Sequence, residues 1–141
     1  MNDVDTAVNC FYDRDNCAQA ILSTFGPRLG LDKELSLKLT EVFSGGMAHT
    51  GNICGAVTGA FMVIGLKFSD LDVKHQEAMH DRAKEFIRKF KEKYHSIICR
   101  ELINYDLTTI KNRKHATERK IFKNCPKYVR DAAEILENML Y

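Results

Sequence analysis

Five cysteines are the residues of this chain best suited to chemistry, and four of them share one local context. Cys17 follows Asn16, Cys54 stands two residues after Asn52, Cys99 three after Ser96, and Cys125 directly after Asn124. Asn and Ser are helix-capping residues, so each of these cysteines falls in the first turn of a predicted helix. There the unpaired backbone N–H groups and the positive end of the helix dipole favour a thiolate, by roughly 0.3–1 kcal/mol at an exposed site. Helix starts that converge could hold a cysteine-ligated cofactor and donate N–H groups to its sulfurs. Spacing alone leaves an equal alternative, since free cysteine is among the most buried residue types and serves as a small apolar side chain. No C-x-x-C pair occurs, so the usual zinc knuckle and the thioredoxin-type dithiol are both absent.

The elements that would position these thiols are organised around Ser44 to Gly65. Five of the eight glycines lie in its first sixteen residues, and an apolar run with Cys54 near its start follows. Gly51, Gly55 and Gly59 are spaced by four, which on a helix puts them on one face and admits a close neighbour. Asn52 is the expected N-cap, with the helix running from Ile53 to about Leu66.

Helical periodicity dominates the rest. A first helix is expected over Asp3–Tyr12, broken by Asp13-Arg14-Asp15-Asn16. Asn16-Cys17-Ala18-Gln19 then reads as a capping box, with Ala18, Ile21, Leu22 and Phe25 as the buried stripe and Gly26-Pro27 as the stop. Asp32 caps a third helix in which Leu35, Leu39, Val42 and Phe43 follow helical spacing. A long amphipathic helix from about Val73 to Tyr94 presents Met79, Ala83, Phe86, Ile87, Phe90 and Tyr94 on one side. Ser96 is the expected cap of a short helix containing Cys99, Glu101 and Leu102. Residues 108 to 123 carry Lys111, Arg113, Lys114, Arg119, Lys120 and Lys123 and read first as a solvated linker or helix face. The last helix begins at Asn124-Cys125-Pro126, with Val129, Ala132, Ala133, Leu136 and Met139 on its buried face. The expected fold is therefore all-α, a compact bundle of about six to seven helices around the glycine-rich one, forming a single domain over residues 1–141.

Composition narrows the function classes. With 141 residues, 45% of them hydrophobic and 28% charged, the chain can build a core without disulfides. Its net charge of +2 is too small to indicate a nucleic-acid binder. The apolar run from Ile53 to Leu66 is shorter than the ~20 residues of a membrane span and is interrupted by glycines. The acidic start, Met1-Asn2-Asp3-Val4-Asp5, has no apolar signal region. Together with five cysteines, this leads to an expectation of a reducing, cytoplasmic setting in which the thiols are free, redox-active or metal-bound.

The sequence resembles the C_GCAxxG_C_C family over nearly its whole length. Asn16-Cys17-Ala18-Gln19-Ala20 is similar to the first cysteine motif of that family, and Gly45-Gly46 followed by Cys54-Gly55-Ala56-Val57-Thr58-Gly59-Ala60 is similar to its C-G-A-x-x-G core. Cys99-Arg100-Glu101-Leu102 and Cys125 resemble the third and fourth motifs. Two departures are visible: Asp13-Arg14-Asp15 stands where a glycine precedes the first cysteine in the family, and Cys10 is additional. The resemblance, which extends to the part of split-Soret cytochromes associated with an iron–sulfur centre, implies redox activity. It further implies that Cys17, Cys54, Cys99 and Cys125 ligate an iron–sulfur cluster, with [2Fe-2S] as the suggested type, and exchange electrons with a partner protein. Haem is not implied, because no C-x-x-C-H occurs.

Alternatives from different classes stand beside this one. Thiol–disulfide exchange between two cysteines such as Cys17 and Cys54 would make the protein an oxidoreductase without metal. A structural zinc, or no cofactor at all, would make it an interaction module, and homodimerisation is left open. Cys10 is expected to pack in the core, given the break at Asp13 to Asn16. His49 reads as an exposed loop histidine, and His75, His80, His95 and His115 as surface residues. Glycines before a helix can cradle phosphate, but here no strand precedes them and no lysine follows.

Overall fold

The computed structural model describes all of residues 1–141 and is built from helices alone, apart from one isolated antiparallel bridge between Ile53 and Ile98. In chain order these are α1 (Asp3–Arg14), α2 (Cys17–Phe25), α3 (Lys33–Thr40), α4 (Gly55–Phe68), α5 (Gln76–Tyr94), α6 (Cys99–Ile103), α7 (Ile110–Ala116) and α8 (Cys125–Leu140), with three short 3-10 turns at 27–29, 41–43 and 73–75. Eight α-helices form where six to seven were expected. The additional one, α7, lies in the basic segment and is capped by Thr109, whose hydroxyl accepts from Asn112 N–H at 3.1 Å.

The pair α2 and α4 forms the centre, with α1, α3 and α8 packed on α2, and α5 and α8 packed on α4. Their glycines explain the close pairing. A β-carbon at Gly55 would come to 2.8 Å of Ala18 N, and one at Gly59 to 3.0 Å of Ile21 Cβ, so only glycine permits this approach. Of the expected buried stripes, Ala18, Ile21, Leu22 and Phe25 on α2, Phe86 and Phe90 on α5, and Val129, Ala132, Ala133 and Leu136 on α8 are buried, while Met79, Ala83, Ile87 and Tyr94 on α5 and Met139 on α8 are half-buried at the edges of those stripes. No helix is long and apolar enough to cross a membrane.

Several boundaries differ from expectation for local reasons. The N-cap of α4 is Cys54 itself rather than Asn52, because residues 52–54 are extended and paired to residues 97–99. Gly51 accordingly lies outside the helix, at φ 71°, against Arg100. Ile98, not Ser96, caps α6; the Ser96 hydroxyl instead accepts from Ile98 N–H. Asn124 starts α8 without a side-chain cap. On α3, Leu35 and Leu39 face solvent, as does Val42 beyond it, while Ser36 and Thr40 are fully buried. The cause is polar docking: Gln19 Nε2 donates to Leu37 O and Asn16 Nδ2 to Thr40 O and Glu41 O, turning the polar side of α3 inward.

Candidate functional site

Four separate local structures deliver the four cysteines. Asn16 is extended, and its Oδ1 accepts from Gln19 N–H at 2.9 Å, fixing Cys17 as the first residue of α2. Only half of the expected capping box forms, since the Gln19 amide nitrogen reaches Leu37 O rather than turning back to Asn16. The same Asn16 amide nitrogen bonds Thr40 O and Glu41 O, so one buried side chain starts α2 and ties it to the end of α3. This bracket has no signature in the sequence beyond the cap.

Cys54 and Cys99 are joined through their backbones. Cys54 N–H donates to Ile97 O at 2.8 Å and Cys99 N–H to Asn52 O at 2.6 Å, flanking the Ile53–Ile98 bridge. Two helix starts, α4 and α6, are thereby set side by side although 45 residues separate their cysteines in sequence. Cys125 opens α8 with Pro126 in the first turn, where a missing N–H leaves no bond unmade. The arrangement places Cys17, Cys99 and Cys125 at the first position of their helices and Cys54 at the cap.

All four line one cavity of about 560 Å³. Its other walls include Phe11, Leu102, Ile103, Phe122 and Tyr128, with Gly45, Gly46 and His49 from the glycine loop. Cys54, Cys99 and Cys125 are buried and Cys17 half-buried; none is in a disulfide. Cys10 is not among the lining residues. Its Sγ lies 3.5 Å from Ser23 Oγ, and it sits half-buried against the edge of the core rather than within it as expected. No three of the chain's His, Cys, Asp and Glu side chains are drawn tightly enough together to enclose a single metal ion. The thiols surround a space rather than a point.

Their electrostatics follow from that crowding. Interaction with the Cys125 and then the Cys54 thiol, together with burial, holds the Cys17 thiol well above its ordinary range. Cys54 is lowered, first by the Cys17 S–H and then by the N–H groups of Ala56 and Val57, which outweigh its burial. Cys54 is thus the first of the pair to ionise. Burial, then repulsion from Cys54 and Cys125, pushes Cys99 up to about 12. Tyr128 is raised by burial and by all four cysteines, and its hydroxyl donates to Leu102 O at 2.9 Å, so it stays protonated.

The glycine loop closes one side. Gly45, Gly46, Met47, Ala48 and His49 all have positive φ, between 55° and 71°, forming a left-handed turn that includes three residues with side chains. Left-handed backbone costs roughly 1–2 kcal/mol at each non-glycine residue. Bonds within the turn hold it, among them His49 N–H to Ser44 O at 3.0 Å and Asn52 N–H to Gly46 O at 2.8 Å. His49 is exposed as expected, yet it lines the cavity mouth. His75, His80 and His95 are exposed and His115 half-buried, all away from the lining. The sequence reading missed Arg14, Lys120 and Lys123 as residues of this mouth; their only signal was a basic run and a charge beside Asp15.

Residues 15–139 match the family model described as "Putative redox-active protein (C_GCAxxG_C_C)". Neither a curated protein nor a solved structure matches the chain.

Proposed function

The chain belongs to the C_GCAxxG_C_C family of redox-active proteins, and from that premise we propose that Cys17, Cys54, Cys99 and Cys125 hold an iron–sulfur cluster through which it transfers electrons. One observation carries the reading: four helix starts far apart in sequence bring four thiols, and not the fifth, to a single cavity. Soft sulfur donors suit iron–sulfur clusters. A cavity of about 560 Å³ has room for a polynuclear centre, [2Fe-2S] being the type we assign, where a lone zinc ion would want its four sulfurs at about 2.3 Å. A bound cluster would supply reversible one-electron storage.

What the chain itself contributes is support for that store. The N–H groups of Ala56 and Val57, in the first turn of α4, favour the ionised form of Cys54. Phe11, Leu102, Ile103 and Phe122 keep the thiols out of bulk water, while Tyr128 spends its hydroxyl on Leu102 O and offers no proton. Five free thiols are compatible with the reducing cytoplasm in which we place the protein.

Anaerobic reconstitution followed by iron and sulfide analysis and visible absorption tests the proposal. Coloured protein is expected, with each of Cys17→Ser, Cys54→Ser, Cys99→Ser and Cys125→Ser losing most of its iron and Cys10→Ser losing none. Colourless, iron-free protein rejects it. The opposed ionisation of Cys17 and Cys54, the first held up and the second lowered by the other thiol, favours one second reading, metal-free dithiol exchange. There the two sulfurs join in a disulfide as two electrons and two protons pass to a disulfide substrate, which is reduced to two thiols. Reversible loss of two titratable thiols in iron-free protein would select it.

A further inference from the structure

We propose that the mouth of the cysteine cavity is a docking surface for an acidic electron-carrier protein, approaching over the basic segment 110–123. The proposal rests on the redox reading of the four cysteines and names the kind of partner they serve. Arg14, from the end of α1, and Lys120 and Lys123, from the turns before α8, are exposed and line the mouth. Asp15 is the one carboxylate among the lining residues.

The positive charge is concentrated here and left uncompensated. Residues 110–123 carry six Lys and Arg against the single Glu118, a net +5, whereas the whole chain is +2, so the remaining residues total −3. Elsewhere six cations are ion-paired, Arg28 with Asp3, Lys38 with Glu34, Arg88 with Glu92, Lys89 with Glu85, Lys93 with Asp131 and Arg130 with Asp5, and the eight others without a pair, Lys33 and Lys127 among them, stand among residues whose net charge is negative. Glu118 meets His115, while Lys111, Lys114, Lys120, Lys123 and Arg14 form no ion pair. Balancing the thiols would need only the cations at the lining. Lys111 and Lys114 lie outside it and are exposed and equally unpaired, which extends the positive field over the approach to the mouth. Such a field selects and orients an acidic protein and accelerates its encounter. In the complex one electron passes between carrier and cysteine site; no bond forms or breaks and no proton moves.

The test measures binding of a plant-type [2Fe-2S] ferredoxin, an acidic carrier, to the reconstituted protein by calorimetry, with cationic cytochrome c and a short single-stranded RNA as comparison probes. Ferredoxin should bind, weaken by about tenfold or more between roughly 20 and 300 mM salt, and weaken by about tenfold or more in Lys120→Glu/Lys123→Glu at low salt. Circular dichroism and iron content show whether that variant keeps its fold and cluster, and Lys111→Glu/Lys114→Glu, further from the cysteines, should weaken binding in the same direction. Absence of ferredoxin binding, binding insensitive to both salt and charge reversal, equal binding of cytochrome c, or tighter binding of the RNA each overturns the docking proposal. Iron analysis judges the cluster separately, so a cluster without ferredoxin binding, or binding without a cluster, tells which of the two readings has failed.

Discussion

Gly46 lies directly against Cys99: a β-carbon added to Gly46 would come to 2.6 Å of Cys99 Cβ. The contact is made from a left-handed turn, at φ 71°, and Gly46 also accepts Asn52 N–H at 2.8 Å. The glycine loop is therefore a wall of the thiol site as well as a link into α4. It holds the first residue of α6 at the depth where Cys99 faces the cavity.

Gly46→Ala should consequently damage the site before it damages the fold. The added methyl meets both a strained φ and the Cys99 side chain, for a loss of about 1–3 kcal/mol. Thermal unfolding should fall, and iron per chain after reconstitution should fall further than in a surface variant of equal stability. Unchanged iron content would show that Cys99 is not held by this contact.

Much of this fold could be read from the sequence because the large elements are periodic. The stripe of α2 is recovered residue by residue and that of α8 except for the half-buried Met139, while of the α5 stripe Phe86 and Phe90 are buried and Met79, Ala83, Ile87 and Tyr94 only half-buried. What escaped the sequence was made by long-range pairing. Nothing local to Asn52 or Ser96 announces the Ile53–Ile98 bridge, so the caps of α4 and α6 each lie two residues beyond the expected one. Likewise α3 buries Ser36 and Thr40 because Asn16 and Gln19 await its carbonyls, a choice that apolar spacing alone gets backwards. For the site, the cap-plus-cysteine pattern identified the four thiols that share the cavity and set Cys10 apart, whereas the basic residues at its mouth needed the fold to bring α1 and residues 120–123 together.

Asn16 offers a test of that long-range bracket. Asn16→Ala removes the α2 cap and both donors to the end of α3 from a buried position, and should cost about 2–3 kcal/mol. Asn16→Asp keeps the capping oxygen but places a charge against the Thr40 and Glu41 carbonyls. It should therefore fail to restore the stability, as read by urea denaturation, where a residue acting only as a cap would be rescued.

Alkaline pH should destabilise the metal-free protein through Cys99. Its folded pKa of about 12 lies above the ordinary 9.0, so below pH 9 the thiol is protonated in both states. As pH rises past 9 the unfolded chain releases the proton while the folded one keeps it, and stability falls until pH passes the folded value near 12. The ceiling of this loss is about 4 kcal/mol. Urea midpoints measured from pH 8 to 10.5 should decline, and less steeply in Cys99→Ser; parallel declines would remove Cys99 as the cause. Alkylation followed by mass spectrometry should likewise find Cys54, whose pKa is lowered, modified at lower pH than Cys99.

Two glycines of α4 should respond oppositely to the same change. At Gly55 an added methyl meets Ala18 N at 2.8 Å and Cys17 Cβ at 3.1 Å, both parts of α2 that cannot move without shifting the thiol site. At Gly65 nothing lies within 4 Å and the backbone is ordinary helix, so Gly65→Ala relieves only the entropy of a helical glycine and should gain about 0.5–1 kcal/mol. Gly55→Ala should lose about 1–3 kcal/mol and, by pushing α2 away, reduce iron uptake as well. Equal effects on stability would mean that α2 and α4 do not approach through Gly55. Loss of stability with full iron content would mean that the approach supports the fold but does not set the distance between Cys17 and Cys54.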